Sequence, residues 1–186
     1  DSFYLRTFLT HVSAVFQNMD VRREVKDWEG VSWYGWSTTR YSVDKKTRMR
    51  SLVGAGLIGL PVAKFISMVR ASDTLQRCRA EANEYLSLLE LVVKQYDREG
   101  WVDHAEDRLG ITAPGEGYYI FPRKSPRWCD GANLPLNQQD EFGSLLLEMY
   151  KLTGNKEYLE KAVKLGRVLR RQLIWDEEES ILHWPY

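Results

Sequence analysis

The sequence predicts an all-α protein built from antiparallel helical hairpins, with long aromatic loops on one face. Apolar residues recur at helical spacings of three and four over most of the chain, and no strand-turn-strand alternation stands out. The connections between the helical segments alternate between very short and very long. In a ring of antiparallel hairpins every second connection lies on the same side, so we expect the long connections to share one face.

The first half of the chain contains three predicted helices. The apolar spacing predicts a first helix over about 3–19 and a second over about 47–71. A third begins near Asp73, because Gln76 lies three residues further on, as in a capping box. Its periodicity ends near Tyr96.

The second half contains two more helices in close succession. A fourth is predicted over about 136–152, and Gly154 is the residue type that commonly ends a helix. Asn155 is a favoured N-terminal cap for the fifth helix. We therefore expect the fourth and fifth helices to form a tight antiparallel hairpin.

The three long connections are rich in aromatic residues. They cover about 20–46, about 98–135 and the segment that opens at Trp175. All seven tryptophans of the chain lie there: Trp28, Trp33, Trp36, Trp101, Trp128, Trp175 and Trp184. Amphipathic rings gathered at one end of a helical scaffold suit stacking against sugar rings. The alternative is that the rings fill the loops as a secondary core.

Residues 54–59, GAGLIG, match the GxGxxG pattern of dinucleotide-binding proteins. That motif requires a buried strand before it and a helix with a second strand after it. Only Leu52 and Val53 are available for the first strand, and a helical segment follows Asp73. We therefore interpret the glycines as small residues that let a buried helix pack closely.

Composition excludes several classes of function for this chain of 186 residues, which we expect to be a single helical domain over 1–186. Basic and acidic residues both number 26, so a nucleic-acid partner is not expected. The longest apolar run, 52–63, stops at Lys64, which predicts no membrane span. Cys78 and Cys129 do not form a CxxC pair, and no HExxH or EF-hand motif occurs. No metal and no cofactor are therefore predicted.

Residues 147–162, LEMYKLTGNKEYLEKA, resemble the hairpin repeat of the (α/α) toroid superfamily. This superfamily includes six-hairpin glycoside hydrolases, polysaccharide lyases and sugar 2-epimerases. Residues 59–65 resemble an inner helix of such proteins, and 184–186 resemble the aromatic loop that follows an outer helix. The resemblance implies that the second and fourth helices are inner, and that the aromatic loops lie on the side of the cleft.

The chain is too short for a whole toroid of this kind. The predicted helices make about two and a half hairpins, whereas the resemblance implies six for a closed ring. We therefore expect an arc or partial (α/α) toroid, a fragment of a longer one or an arc that another chain completes.

Two kinds of acid-base chemistry follow from the resemblance. Glycoside hydrolysis needs two carboxyl groups across a cleft, and Glu116 and Asp130 are the acids best surrounded by aromatic residues. Asp140 and Glu141, in the first turn of the fourth helix, are more readily explained as partners of the helix dipole.

Uronate-directed elimination needs a group that neutralises a carboxylate and a base that removes the neighbouring proton. The candidate proton carriers are Tyr41, Tyr118, Tyr119 and His104. Asn137 and Gln138 are candidates for binding the carboxylate, and Arg40 and Arg127 for pairing with it. The alternative for Asn137 and Gln138 is ordinary helix capping.

The remaining predicted binding residues are rings: Trp33, Trp36, Tyr41, Trp128 and Trp184. Together these features predict a carbohydrate-active enzyme, either a glycoside hydrolase or a polysaccharide lyase, that acts on an oligo- or polysaccharide without a cofactor. The alternative is a non-catalytic helical module that binds a glycan or a protein partner. A polysaccharide substrate favours a secreted or periplasmic location.

Overall fold

The computed structural model describes residues 2–40, 42–104, 113–126 and 130–184. The chain divides into two compact units, Asp1–Ser51 (unit 1) and Leu52–Tyr186 (unit 2). The described residues are mostly helical, which confirms the predicted all-α class at this level.

Unit 1 consists of helix α1, Ser2–Gln17, and an irregular segment up to Ser51. Val12 and Phe16 are the buried residues of the helix, four positions apart as on one helical face. An isolated antiparallel bridge closes the irregular segment, because Thr38 and Met49 each donate a backbone hydrogen bond to the other, at 2.9 and 2.8 Å. The segment is therefore held by backbone pairing although it forms no regular strand.

Buried charged groups hold unit 1 as well. The Arg50 guanidinium lies over the rings of Trp28 and Trp33, at 4.4 and 3.7 Å from the ring centroids. Its Nε donates to Asp27 at 2.6 Å and its Nη2 to Glu29 at 2.7 Å. A buried guanidinium is tolerated here because carboxylates and aromatic faces surround it.

Unit 2 is built from two pairs of helices. Helices α2, Leu52–Ala71, and α3, Arg79–Gly100, are joined by a short 3-10 helix, Asp73–Cys78. Helices α4, Leu136–Thr153, and α5, Lys156–Arg171, form the second pair. Helix α2 packs against both α3 and α4, and α4 also packs against α5. The core of the unit therefore lies around α2 and α4.

Helix α2 contacts α4 through its glycines. A methyl group on Gly56 would lie 2.9 Å from the backbone carbonyl carbon of Glu141, and one on Gly59 would lie 2.7 Å from the Leu145 side chain. A side chain at position 56 would therefore require movement of the α4 backbone, whereas one at position 59 would require the Leu145 side chain to shift. This confirms that residues 54–59 serve close helix packing, since they lie inside α2.

The hairpin of α4 and α5 has the caps that the sequence predicts. Gly154 adopts a left-handed conformation with φ of 71°, and its N–H donates to the Tyr150 carbonyl at 2.8 Å. The Asn155 side chain accepts a hydrogen bond from the Glu157 N–H at 3.1 Å. Both capping predictions are confirmed.

Short strands occur where the sequence predicts only loops. Strands β1, Trp101–Val102, and β2, Tyr118–Tyr119, pair antiparallel, and so do β3, Ile174–Asp176, and β4, Ile181–His183. Segments of two or three residues are too short for an alternating pattern to be recognised in the sequence. The absence of strand-turn-strand alternation in the sequence therefore did not reveal these short pairings.

The apolar segment of α2 is longer than the run of 52–63 on which the prediction of no membrane span rested. It continues through Lys64 to Ala71 and is, by length and composition, apolar enough to cross a bilayer. Half of its most apolar window is buried inside the fold. Its packing against α3 and α4 accounts for that half, since a core helix passes the same test.

Candidate functional site

A cavity of about 600 Å³ lies in unit 2, at the end of the α4–α5 hairpin away from the Gly154 turn. The start of α4, the end of α5, strand β2 and Trp184 contribute its walls. The lining residues are Tyr118, Asn133, Leu134, Pro135, Leu136, Asn137, Gln139, Asp140, Val168, Leu169, Gln172 and Trp184. The volume falls within the usual range of small-ligand sites, about 300–1,000 Å³.

Gln139 fixes the wall that carries Tyr118. Its Oε1 accepts the backbone N–H of Tyr119 at 2.9 Å, and its Nε2 donates to the carbonyls of Tyr119 at 2.7 Å and Leu134 at 3.2 Å. The amide is buried, and its hydrogen bonds join two backbone segments, one at Tyr119 and one at Leu134. Gln139 therefore attaches β2 and the residues before α4 to the first turn of the helix, which keeps the buried Tyr118 at the cavity.

Trp184 is held at the cavity by a hydrogen bond to α5. Its indole Nε1 donates to the Leu169 carbonyl at 2.7 Å. The last four carbonyls of a helix have no partner within the helix, so this bond satisfies one of them. About half of the side chain, 49%, stays exposed. The ring is thus oriented by its polar edge while its surface remains available to a ligand.

The lining combines apolar and polar groups. Leu134, Leu136 and Val168 contribute aliphatic surface, and the amides of Asn133 and Gln172 contribute donors and acceptors. Asn137 is exposed, and its Oδ1 accepts the N–H of Gln138 at 3.0 Å. Asp140 adds a carboxyl group from α4.

Tyr119, a predicted proton carrier, lies in the core. Its hydroxyl donates to Asp97, and its ring makes edge contacts with Trp101 and Phe142 at centroid distances of 5.1 and 5.0 Å. Burial, together with the Asp97 carboxylate, raises the pKa of Tyr119 well above its usual value. The ring does not line the cavity.

Glu116, a predicted catalytic acid, is bound to α5. Its carboxylate accepts two hydrogen bonds from Arg171, at 2.8 and 2.9 Å, and a third from the Ala113 N–H at 2.9 Å. The hydrogen bonds from Arg171 are the main cause that lowers the pKa of Glu116 below its usual value. The group therefore carries a negative charge at neutral pH, and it does not line the cavity.

A row of basic residues on α5 makes similar contacts along the helix. Lys161 pairs with Asp97 at 2.7 Å, Lys164 pairs with Asp103 at 2.8 Å, and Arg167 donates to the Gly115 carbonyl at 2.9 Å. With Arg171, these residues recur every three or four positions, which is the spacing of one helical face. Sequence reasoning missed this contact surface, although the spacing of the basic residues was the available signal.

The other predicted residues of unit 2 lie outside the cavity lining. His104 is exposed, and its Nδ1 lies 3.9 Å from an Asp103 carboxylate oxygen. Asp130 is exposed, and Gln138 is half-buried. Arg127 and Trp128 lie outside the described residues, as does Cys129.

In unit 1 the predicted rings are part of the interior of the unit. Trp33 is buried beneath Arg50, and Trp36 donates its indole N–H to the Val15 carbonyl at 2.8 Å. These two rings behave as the secondary core that was the alternative interpretation. Arg40 is exposed, and Tyr41 lies outside the described residues.

No metal-binding cluster is found among the residues that the structure describes. Three of the predicted site residues, Tyr118, Asn137 and Trp184, do come together around one cavity. Comparison of the chain with protein-family models, with curated proteins and with solved structures finds no match.

Proposed function

We propose that unit 2 binds a saccharide in this cavity. The observation that carries the proposal is the ring of Trp184, which is held by its N–H and lines the same cavity as two asparagine amides. A pyranose ring has an apolar face of C–H groups and a rim of hydroxyls. An aromatic ring packs on that face, while amide and carboxyl groups bind the hydroxyls.

We further propose that the hairpins belong to an (α/α) toroid. Two features support this. Helices α2 and α4 pack against each other through Gly56 and Gly59, as inner helices do, and α3 and α5 each pack on one of them. The cavity lies where the long connection leads into α4. The resemblance implies that the cleft of a toroid lies on this side of the helices.

Binding is supported better than cleavage. Hydrolysis of a glycosidic bond requires two carboxyl groups, and Asp140 is the one carboxyl group among the described lining residues. Elimination requires a group that neutralises a uronate. Tyr118 and Asn137 line the cavity, but none of the described lining residues is cationic. Cleavage of the saccharide therefore stays a prediction.

Calorimetric titration with a panel of mono- and disaccharides tests the binding. We expect Trp184→Ala to weaken the affinity for the best ligand by about ten-fold, because the variant loses the stacking surface. Trp175→Ala is the matched control, since Trp175 is similarly exposed, 54% against 49%, and does not line the cavity. Circular dichroism verifies that both variants fold.

Failure of every saccharide to bind would overturn the proposal, as would equal losses in the two tryptophan variants. Product mass after incubation with polysaccharides tests the prediction of cleavage in parallel. Fragments heavier by one water indicate hydrolysis, and unsaturated fragments indicate elimination. Saccharide binding without fragments indicates the non-catalytic module.

A further inference from the structure

Asp140 gives the cavity a negative charge. It lies near the start of α4, is exposed and lines the cavity together with Asn137. Among the described residues that line the cavity, none is a lysine, an arginine or a histidine. A ligand in this cavity therefore lies near a negative charge that no basic residue among the described lining residues compensates.

Three basic residues of α5 already pair with carboxylates of the protein. Arg171, adjacent to the lining residue Gln172, forms its bidentate pair with Glu116. Lys161 pairs with Asp97, and Lys164 pairs with Asp103. Because each of these three cations is paired with a carboxylate, they attract an anion in the cavity only weakly.

The N-terminus of α4 also offers little to an anion. The backbone N–H groups of Gln138 and Gln139 both donate to the Pro135 carbonyl, at 2.9 and 3.2 Å. Anion sites at helix N-termini depend on such groups pointing freely at the ligand. At this end of α4 two of them are already in use.

We propose that the site selects uncharged saccharides and that Asp140 rejects uronates; this rests on the proposed function. A carboxylate accepts hydrogen bonds from two neighbouring hydroxyls of a neutral sugar. A uronate carboxylate about 5 Å away is instead repelled, which weakens its binding by about ten-fold at a partly exposed site. Asp140 is thus a specificity-determining residue for the bound sugar.

The test compares a neutral disaccharide with its uronate counterpart of the same linkage, by calorimetric titration at pH 7 and low salt. We expect the wild type to bind the neutral sugar about ten-fold more tightly. In Asp140→Asn we expect most of this preference to disappear, because the variant keeps the shape of the side chain and its ability to form hydrogen bonds but loses the charge. Higher salt should also reduce the preference of the wild type, because it screens the repulsion between the two carboxylates.

Asp130→Asn is the matched control, since Asp130 is an exposed carboxylate that does not line the cavity, and it should keep the wild-type preference. Equal binding of the two sugars by the wild type, or a preference that Asp140→Asn leaves unchanged, would overturn the inference while the proposed function stands. Absence of binding by either sugar would overturn both. A variant with altered circular dichroism is replaced by Asp140→Ser, for which the same loss of preference is expected.

Discussion

At the scale of single residues, Glu116 and Arg171 join positions 55 apart in the sequence. Glu116 is buried, while nearly half of the Arg171 side chain is exposed. Glu116 lies in the segment before β2, and Arg171 lies in the last turn of α5, so the pair attaches that segment to the helix. The pair therefore links the wall that carries Tyr118 to the helix that holds Trp184.

We expect Glu116→Gln to lower the free energy of unfolding by about 1–2 kcal/mol at pH 7, since it removes charge-assisted hydrogen bonds that are partly screened by solvent. The pKa of Glu116 is lowered in the folded state, so its contribution is present above the unfolded pKa of about 4.5 and is lost as the pH falls through the folded pKa. Urea unfolding at pH 7 and at pH 3 measures both effects.

Glu160→Gln is the control for this change, because Glu160 is an exposed acid on α5, the helix that carries Arg171. We expect it to change stability by less than about 0.5 kcal/mol. A difference between Glu116→Gln and the wild type that is the same at both pH values would contradict the role of the ion pair.

Three of the residues predicted for the site lie at one cavity. Trp184, Tyr118 and Asn137 were identified because they lie beside a helix end or in an aromatic segment, and the structure places all three at the cavity. Glu116 was chosen for its aromatic neighbours, but its partner Arg171 is distant in sequence. Nothing in the local pattern distinguishes an acid bound to a distant arginine from an acid that faces a cleft.

At the scale of elements, the glycines of α2 permit its contact with α4. We expect Gly56→Ala to lower the free energy of unfolding by about 1–3 kcal/mol, because the added methyl group would meet the backbone of α4 at 2.9 Å. The better helix propensity of alanine offsets about 1 kcal/mol of the clash at most. Chemical denaturation monitored by circular dichroism gives the value.

Gly166→Ala is the matched control within a helix of unit 2. Gly166 lies in α5, and a methyl group there would have no heavy atom within 4 Å. The same substitution should therefore raise the free energy of unfolding by about 0.5–1 kcal/mol. If both variants shifted stability in the same direction, close packing of α2 on α4 would not be the reason for Gly56.

Local signals predicted some ends of elements correctly and others not. The capping box predicted at Asp73 is wrong, because a 3-10 helix spans Asp73–Cys78 without a side-chain cap and α3 begins at Arg79. Gly154 and Asn155 marked the α4–α5 turn correctly, because capping depends on residue types at fixed positions. The start of α2 was placed five residues too early. Met49 lies three residues before Leu52, as a helical spacing would have it, but its backbone pairs with Thr38. Strands β1 and β2 were missed because fifteen residues separate them in the sequence, so their pairing leaves no local pattern.

At the scale of the whole chain, the alternation of short and long connections identified where irregular structure lies. It did not distinguish the roles of the aromatic residues within it. Trp33 and Trp36 fill the interior of unit 1, whereas Trp184 lines the cavity of unit 2. That difference depends on which groups contact each ring in the folded chain, as Arg50 contacts Trp33. The composition of a segment does not predict such contacts.

The stability of the chain at high pH depends on buried tyrosines of unit 2. Burial, with nearby carboxylates, raises the pKa of Tyr158 to about 12, so its contribution is fully present below the unfolded pKa of about 10 and is lost as the pH rises through 12. We expect the stability difference between the wild type and Tyr158→Phe to shrink steadily between pH 10 and pH 12. Thermal unfolding across this range, monitored by circular dichroism, measures the difference. Tyr4→Phe is the control, because Tyr4 is 71% exposed, and we expect it to change stability by less than about 0.5 kcal/mol. A pH-independent effect of Tyr158→Phe would show that burial does not control the ionisation of this phenol.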